Sequence, residues 1–226
     1  MHPLKSDAPL IVYLDIKSPY AFVAVQPSLA LEAELRMSFD WRPLTLDIPS
    51  FLGSAQKLNG KVVASAGRSD RTWQAIRYSY HDARRYAERQ GLTLKGTEKI
   101  WDSRIANIAI LWVMKTDRSK LPAYLQTVFP PFWRRELDIE AFAVVEDCVG
   151  RAGVSTVGFA RFVAQEGRAM HDALQREFHN CGIYGVPSYV LHGEVLHGRE
   201  HIPYLRWRLS GSHGQPPDVA YELPRC

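Results

Sequence analysis

A short apolar run followed at once by a helix start limits the fold of this chain more than any other feature does. Residues 10–14 (Leu-Ile-Val-Tyr-Leu) have the length and the aliphatic, β-branched content of a buried strand. Ser18 is a preferred helix N-cap, and Pro19 suits the first helical position because its missing N–H would have had no partner there. The sequence therefore predicts a strand, a tight loop and a helix over residues 20–35, which Pro27 kinks or divides.

A second strand is predicted after this helix. Residues 37–44 alternate so that Met37, Phe39 and Trp41 share one face. Because the connection between the two strands is a right-handed crossover, we expect the strands to be parallel. The loop over residues 15–19 then lies at the carboxyl edge of the sheet, where ligands of open α/β sheets usually bind.

The middle of the chain is dominated by helical periodicity. Beyond Pro49, a loop that contains Gly53, Gly60 and Gly67 leads into a helix over residues 69–90. Further helices are predicted, in chain order, over residues 102–115, 121–133, 139–152 and 157–178.

The strand pattern returns only near the carboxyl end. Residues 187–192 and 195–197 flank a turn that contains glycine, which predicts a β-hairpin, and a short helix is predicted over residues 202–209. The order of elements is therefore β-α-β, then a long helical block, then β-β-α.

Composition and cysteine spacing exclude several classes of protein. The chain has 226 residues, 46% hydrophobic and 23% charged, with a net charge of +4. These values exclude disordered, fibrous and membrane-spanning classes. Cys148, Cys181 and Cys226 are too far apart to form a Cys-x-x-Cys redox pair or metal clasp. With no signal peptide recognisable at the amino end, we expect a cytoplasmic protein.

Two further patterns contain residue types that are common in binding sites. His192, His197 and His201 match no standard metal-ligand spacing, so no metal site is predicted. The arginine-rich helix over residues 71–89 also contains acidic residues, which indicates a solvated face rather than a nucleic-acid interface.

Three motifs resemble those of one enzyme family. Residues 15–21 (Asp-Ile-Lys-Ser-Pro-Tyr-Ala) are similar to the first-helix motif of glutathione-dependent 2-hydroxychromene-2-carboxylate isomerases and kappa-class glutathione transferases. In that motif, Ser-Pro stands where related redox enzymes have Cys-Pro. Residues 182–188 (Gly-Ile-Tyr-Gly-Val-Pro-Ser) resemble their Gly-Val-Phe-Gly-Val-Pro-Thr segment, and residues 102–107 resemble their Asn-Ser-Arg-x-x-Asn motif.

The resemblance implies an α/β fold of the DsbA-like type, which is a thioredoxin-like fold with a large all-helical insertion. Residues 10–48 and 182–210 would form a discontinuous thioredoxin-like domain. Residues 49–181 would form the helical insertion, and residues 211–226 an irregular tail.

Ser18 is the residue to which the resemblance assigns the chemistry. In the family, the serine hydroxyl hydrogen-bonds the sulfur of bound glutathione, lowers the pKa of the thiol and holds it as the nucleophile. The start of a helix favours an anion such as a thiolate, and Lys17 adds positive charge nearby. From the residues alone, Ser18 has an alternative explanation as an N-cap without a ligand, and Lys17 as a solvated side chain.

The resemblance assigns other residues to the remainder of glutathione. It implies a cis bond between Val186 and Pro187, with the Val186 backbone pairing with the cysteinyl backbone, whereas the local sequence also allows a trans proline at a strand start. Arg199, Glu200 and His201 begin the last helix, where they would bind the γ-glutamyl end. The family usually has Asp and Arg where this chain has Glu200 and His201.

Five more residues are candidates on weaker grounds. Asn59 and Lys61 would bind carboxylates of glutathione, although a polar loop needs no ligand. Tyr20, Arg104 and Asn107 would line the pocket for an aromatic acid. Their alternatives are a partly buried tyrosine and a solvated helix face.

The function implied is that of a glutathione-dependent isomerase acting on 2-hydroxychromene-2-carboxylate or a related aromatic oxo-acid, in a chain that forms a homodimer. One alternative is a kappa-like glutathione transferase or peroxidase. Another is a non-catalytic thioredoxin-fold binding protein, which the departures at Glu200 and His201 favour. A dithiol oxidoreductase is not expected, because Ser18 and Ala21 leave no thiol pair.

Overall fold

The computed structural model of the chain describes residues 1–58 and 61–218. Its strands are β1 (Ile11–Leu14), β2 (Asp40–Pro43), β3 (Ser54–Leu58), β4 (Lys61–Ala66), β5 (Ser188–Leu191) and β6 (Glu194–His197). Its α-helices are α1 (Pro19–Leu35), α2 (Ile48–Leu52), α3 (Asp70–Arg89), α4 (Arg104–Thr116), α5 (Leu121–Trp133), α6 (Phe142–Arg151), α7 (Phe159–Ala164), α8 (Glu166–Glu177) and α9 (Ile202–Leu209). Short 3-10 turns cover Arg118–Lys120 and Arg199–His201.

The main sheet has the strand order β2-β1-β5-β6. Strand β1 is parallel to β2 and antiparallel to β5, so the parallel pairing predicted from the crossover is confirmed. The predicted carboxyl-terminal hairpin is also confirmed. Its two-residue turn, His192 and Gly193, has φ values of 50° and 85°, as the tight turn of a twisted hairpin requires.

The helices around this sheet share one apolar core with it. A continuous cluster of buried side chains runs from β1 and β5 into α4, α5 and α6. At the junction, the ring of Phe22 in α1 is stacked with Phe129 and with Trp133, at centroid distances of 5.8 and 5.9 Å. Pro27 lies inside α1 and does not divide it. Within the described part of the chain, no helix combines the length and the apolarity needed to cross a bilayer.

The structure of residues 53–67 differs from the prediction. They were expected to be a loop, but the described part forms an antiparallel hairpin of β3 and β4. Gly53 and Gly67, with φ values of 63° and 70°, lie together at its base. All six residues of β4 are exposed. Because β4 has no buried face, the strand leaves no alternation of apolar and polar residues for sequence analysis to detect.

The last helix of the insertion is also shorter than expected. The pattern over residues 157–178 predicted one helix, whereas the structure has α7 and α8 separated at Gln165, whose φ and ψ of −125° and −94° are not helical. The break brings Gly167 against Phe162: a Cβ at Gly167 would lie 2.4 Å from that ring. Close packing between the two helices therefore decides the division. The second strand likewise begins at Asp40, later than residue 37.

Candidate functional site

Ser18 lies at the amino end of α1 and is almost completely buried, with 3% of its surface exposed. Its Oγ accepts a hydrogen bond from the Ala21 N–H at 3.2 Å, which confirms the predicted N-cap. Its hydroxyl is also directed at the Val186 carbonyl oxygen, 3.4 Å away. That distance is long for an O–H···O bond, so the Ser18 proton remains available to a nearer acceptor.

The segment opposite Ser18 is the loop that leads into β5. The Val186–Pro187 peptide bond is cis, as the resemblance implied. The Pro187 carbonyl accepts a hydrogen bond from the Gly198 N–H at 2.9 Å, which places the start of the Arg199–His201 turn beside this loop. Residues separated by almost the whole chain thus meet at one point on the sheet edge.

A cavity of about 470 Å³ opens beside Ser18. One side is formed by the α1 start and another by the β3–β4 hairpin and α3, and the segment before α4 completes it. Its lining is rich in aromatic and cationic side chains, among them Lys17, Lys57, Arg68, Trp73, Tyr80 and Trp101.

The carboxylate of Asp15, which has no solvent exposure, holds the loop before Ser18 in place through hydrogen bonds. One oxygen, Oδ1, accepts hydrogen bonds from Ser103 Oγ at 2.5 Å and from Asn107 Nδ2 at 3.0 Å. The other, Oδ2, accepts from the Leu46 N–H at 2.8 Å. Asn107 Oδ1 in turn accepts from the Ile16 N–H at 3.2 Å. The loop is therefore fixed by Asn107 of α4 and by Ser103, which directly precedes that helix.

The same network continues to a buried histidine. Asn107 Nδ2 donates to Thr45 Oγ1 at 2.7 Å, and Thr45 Oγ1 lies 2.9 Å from His171 Nε2. His171 Nδ1 lies 3.0 Å from Asp172 Oδ1. Because Thr45 accepts from Asn107, its own proton is left for His171 Nε2, and the His171 Nδ1–H donates to Asp172. Burial lowers the pKa of His171, which favours this neutral ring.

Sequence reasoning missed four members of this network: Asp15, Thr45, Ser103 and His171. Asp15 and Ser103 lie inside two of the three motifs quoted for the resemblance, so these motifs held a usable signal for them. Nothing in the local sequence marks Thr45 or His171.

The three residues expected to line a substrate pocket lie in three different places. Asn107 has no solvent exposure, so the expectation that it contacts substrate is corrected: it supports the Ser18 loop. Tyr20 is not among the cavity residues, because its hydroxyl is directed away to Asp82 Oδ2 at 3.2 Å. Burial, and then the Asp82 carboxylate, raise the pKa of Tyr20. Arg104 is exposed, pairs with Asp102 and lines a neighbouring cavity of about 460 Å³.

The residues expected at the glutamyl end of glutathione are only partly brought together. Arg199 lies over the ring of Tyr86, with Cζ 4.0 Å from the centroid, and burial lowers its pKa. Its Nη1 is buried and has no hydrogen-bond partner within residues 1–58 and 61–218. Glu200 is exposed and His201 is half-buried. Lys61 is exposed on β4 and does not line the cavity beside Ser18, and Asn59 lies outside the described residues.

The sequence profile of the DSBA-like thioredoxin domain matches residues 9–210. The chain belongs to this family. The match covers the sheet, the insertion and the loop that carries Ser18, so it describes the whole fold rather than one part of it. No curated protein matches the sequence significantly.

Solved structures of DsbA-like proteins resemble this fold at low sequence identity. A 2-hydroxychromene-2-carboxylate isomerase is 17% identical, with a TM-score of 0.66 over 89% of this chain and 94% of that one. A protein assigned as a DsbA oxidoreductase from Streptomyces coelicolor is 18% identical, with a TM-score of 0.65 and 91% of both chains covered. The cytosolic disulfide reductase DsbM from Pseudomonas aeruginosa, solved with GSH, is 19% identical, with a TM-score of 0.53 over 83% and 87%. These matches establish the DsbA-like thioredoxin fold, which confirms the predicted fold class.

Proposed function

We propose that this DSBA-like thioredoxin protein is a glutathione-dependent isomerase that acts on 2-hydroxychromene-2-carboxylate or a related aromatic oxo-acid. The supporting observation is the position of Ser18, whose hydroxyl lies at the start of α1 and faces the Val186 carbonyl across a cis-proline loop. The start of a helix carries about half a unit of positive charge and favours a bound thiolate. Because the chain has Ser18 and Ala21 in this motif, the reactive sulfur would come from the cofactor.

In this proposal, different residues around Ser18 bind different parts of glutathione. The Ser18 hydroxyl turns from Val186 to the sulfur and stabilises its anionic form. The Val186 backbone pairs with the cysteinyl backbone in the manner of an added strand. The Arg199–His201 turn, adjacent to Pro187, receives the γ-glutamyl group through Arg199 and Glu200.

The reaction itself conserves all atoms. Bound glutathione would supply a thiolate for reversible addition to an unsaturated carbon of the substrate. As the C–S bond formed, the ring C–O bond would break with its electron pair on the phenolate oxygen, and the opened chain could rotate about the resulting single bond. When the C–S bond broke, the double bond would return in the trans geometry, the hydroxyl proton of the former ring carbon would pass to the phenolate as the ketone formed, and glutathione would leave unchanged. The protein contributes a stabilised thiolate and a cavity with aromatic lining that holds the substrate body.

A kappa-like glutathione transferase or peroxidase is the second candidate. It would use the same thiolate and differ only in the electrophile, and the apolar rings of Trp73 and Trp101 in the cavity favour any flat aromatic acceptor. Both candidates belong in a reducing cytoplasm, where Cys148 and Cys181, which are free thiols, would stay reduced. The homodimer implied by the resemblance remains part of the proposal.

Calorimetric titration with glutathione and S-methyl glutathione tests the proposal on wild type and Ser18→Ala. We expect both ligands to bind wild type, and the thiolate absorbance of bound glutathione to appear at lower pH than in free glutathione. In Ser18→Ala the pKa of the bound thiol should rise toward its free value, whereas S-methyl glutathione should bind as before.

Ser69→Ala is the matched control, because Ser69 caps α3 through the same 3.2 Å bond to a backbone N–H but does not line the cavity. Removing either cap costs about 1 kcal/mol of helix stability, so only the effect on glutathione separates the two variants. Absence of glutathione binding to wild type would contradict both enzyme functions. An absorbance assay with 2-hydroxychromene-2-carboxylate against a chlorinated aromatic acceptor then separates isomerase from transferase.

A further inference from the structure

The cavity beside Ser18 carries an excess of positive charge. Its lining contains one carboxylate, Glu98, and six cationic side chains: Lys17, Lys57, Arg68, Arg77, Arg84 and Lys99. Glu98 pairs instead with Arg135, at 3.1 Å. Lys99 is paired with Glu140 at 2.5 Å and Lys17 lies 4.0 Å from Asp15. The cationic charge that remains therefore belongs to the hairpin and α3.

Arg68 differs from the other cations of the cavity in having a buried side-chain nitrogen without a partner in the described residues. Its only hydrogen bond within the described residues runs from Nη2 to the Gly53 carbonyl at 3.2 Å, and no carboxylate there lies within ion-pair distance. Its Nε is buried without a partner in the same part of the chain. Its guanidinium lies over the ring of Trp73, 4.7 Å from the centroid, and burial lowers its pKa. A cation held partly out of water without a counter-ion costs free energy that a bound anion would recover.

The neighbours of Arg68 restrict the shape of such an anion. Trp73, Arg77, Tyr80 and Arg84 follow one another at intervals of three or four residues, so α3 presents alternating rings and cations along the cavity. A planar guanidinium stacked on an indole suits a carboxylate or sulfonate attached to a flat aromatic body. Phosphate esters or acidic peptides would leave these rings uncovered.

We propose that Arg68, stacked on Trp73, is the subsite for an anionic group on the aromatic substrate and makes the cavity select anionic over neutral aromatic molecules. This inference rests on the proposed function, since it names the partner that the thiolate would meet. It also favours the aromatic acid over the neutral chlorinated acceptor of a transferase.

Calorimetric titration with naphthoate and with its neutral analogue naphthylmethanol tests the subsite without any turnover. The proteins are wild type, Arg68→Gln, Arg68→Lys and Arg71→Gln; Arg71 is exposed on the first turn of α3 and does not line the cavity. We expect Arg68→Gln to weaken naphthoate binding about tenfold or more, Arg68→Lys to restore part of the loss, and Arg71→Gln to have no effect. Naphthylmethanol should bind all four proteins equally.

Two results would overturn the subsite. One is naphthoate binding that does not change in Arg68→Gln. The other is an equal loss of both probes, which would mean that Arg68 only supports the base of the hairpin through Gly53. A glutathione titration on the same proteins keeps the two proposals apart. Naphthoate binding that depends on Arg68 without any glutathione binding would support the subsite and reject the enzyme. Glutathione binding with naphthoate insensitive to Arg68 would do the reverse.

Discussion

The cavity beside Ser18 has two walls of opposite character. The loop wall, residues 15–18 with the α4 side chains beneath them, satisfies its charge internally: the Asp15 carboxylate is fully buried and accepts several hydrogen bonds from its neighbours. The hairpin wall, made of β3, Arg68 and α3, is partly exposed and keeps cations that no carboxylate in the described part of the chain neutralises. The loop wall therefore positions the Ser18 hydroxyl, whereas the hairpin wall keeps unpaired cations that an anionic ligand would neutralise.

This contrast has a physical basis in desolvation. A buried carboxylate is tolerated only when donors replace its water, and the loop wall provides them from Ser103, Asn107 and the Leu46 backbone. A cation at a half-open cavity keeps part of its water, so the hairpin wall can leave its charge unpaired until an anion arrives. Changes to the first wall should therefore act on folding, and changes to the second on binding or local opening.

The largest effect is expected at Asp15. Replacing it with alanine leaves the Ser103, Asn107 and Leu46 donors buried without their acceptor, and should lower the free energy of unfolding by about 3 kcal/mol or more. Urea denaturation measures the loss. Asp47→Ala is the control, because Asp47 follows β2 in the same region but is exposed and makes no side-chain cap. Equal stabilities for the two variants would show that the buried network does not hold the loop wall.

A smaller and purely local effect is expected at the base of the hairpin. A Cβ at Gly53 would lie 2.5 Å from the Ala66 carbonyl oxygen, and Gly53 has a φ of 63°. Gly53→Ala should therefore destabilise the pairing of β3 and β4 by about 1–3 kcal/mol, and backbone amides of the hairpin should exchange faster with deuterium.

Gly67→Ala tests the effect of the backbone conformation without the steric clash that Gly53→Ala introduces. Gly67 has a similar φ of 70°, but the nearest atom to its added Cβ would be the Gly53 Cα at 3.5 Å. We expect a milder increase in exchange than for Gly53→Ala, with the urea midpoint of both variants close to wild type. A fall of the midpoint as large as that of Asp15→Ala would mean that the two walls do not differ in their contribution to folding.

The smallest effect is a pH dependence carried by His171. Burial lowers its pKa in the folded protein, so the unfolded chain binds the proton more readily once the pH falls below the ordinary histidine value of about 6.5. The stability from the neutral ring is thus present above that pH and is lost as the pH falls toward the folded pKa. Asp172 and Arg168, the charged groups beside it on α8, and Arg104 on α4 act on the same ring.

Thermal unfolding between pH 7.5 and pH 5 tests this assignment. His171→Gln should lose less stability than wild type over that range, because glutamine can bond Thr45 without binding a proton. His179→Gln, a change at an exposed histidine just after α8, should follow wild type. Parallel curves for all three proteins would show that protonation of His171 does not change the stability of the fold.

Much of the fold was predictable because its signals are local. The strand over residues 10–14, the Ser18 cap and the helix over residues 202–209 depend on residues that are neighbours in sequence, and each lies where the pattern predicts it. The meeting of Ser18 with Val186 was implied by the two motifs together. It depends on a topology that brings β1 beside β5, which local patterns cannot supply.

The errors share a different cause. Asn107 lies in a recognised motif, but residue type cannot tell whether an amide faces a substrate or a buried carboxylate, and the packing of α4 beneath the Asp15 loop decides it. Arg104, one turn earlier, pairs with Asp102 and lines a neighbouring cavity, so its contact with substrate stays a prediction. The β3–β4 hairpin was missed because its exposed strand has no apolar face to mark it.

The sequence by itself determined the β-α-β and β-β-α ends of the fold, the cap at Ser18 and the absence of a thiol there, because these properties belong to neighbouring residues. Only the tertiary structure decided which polar groups are buried together and which cations remain unpaired. Desolvation and pairing depend on distances between segments far apart in the chain, and those distances exist only after β1, β5, α3 and α4 have packed. Asp15 and Arg68 differ in this respect. The Asp15 carboxylate accepts hydrogen bonds from neighbouring protein groups, whereas the Arg68 guanidinium faces the cavity.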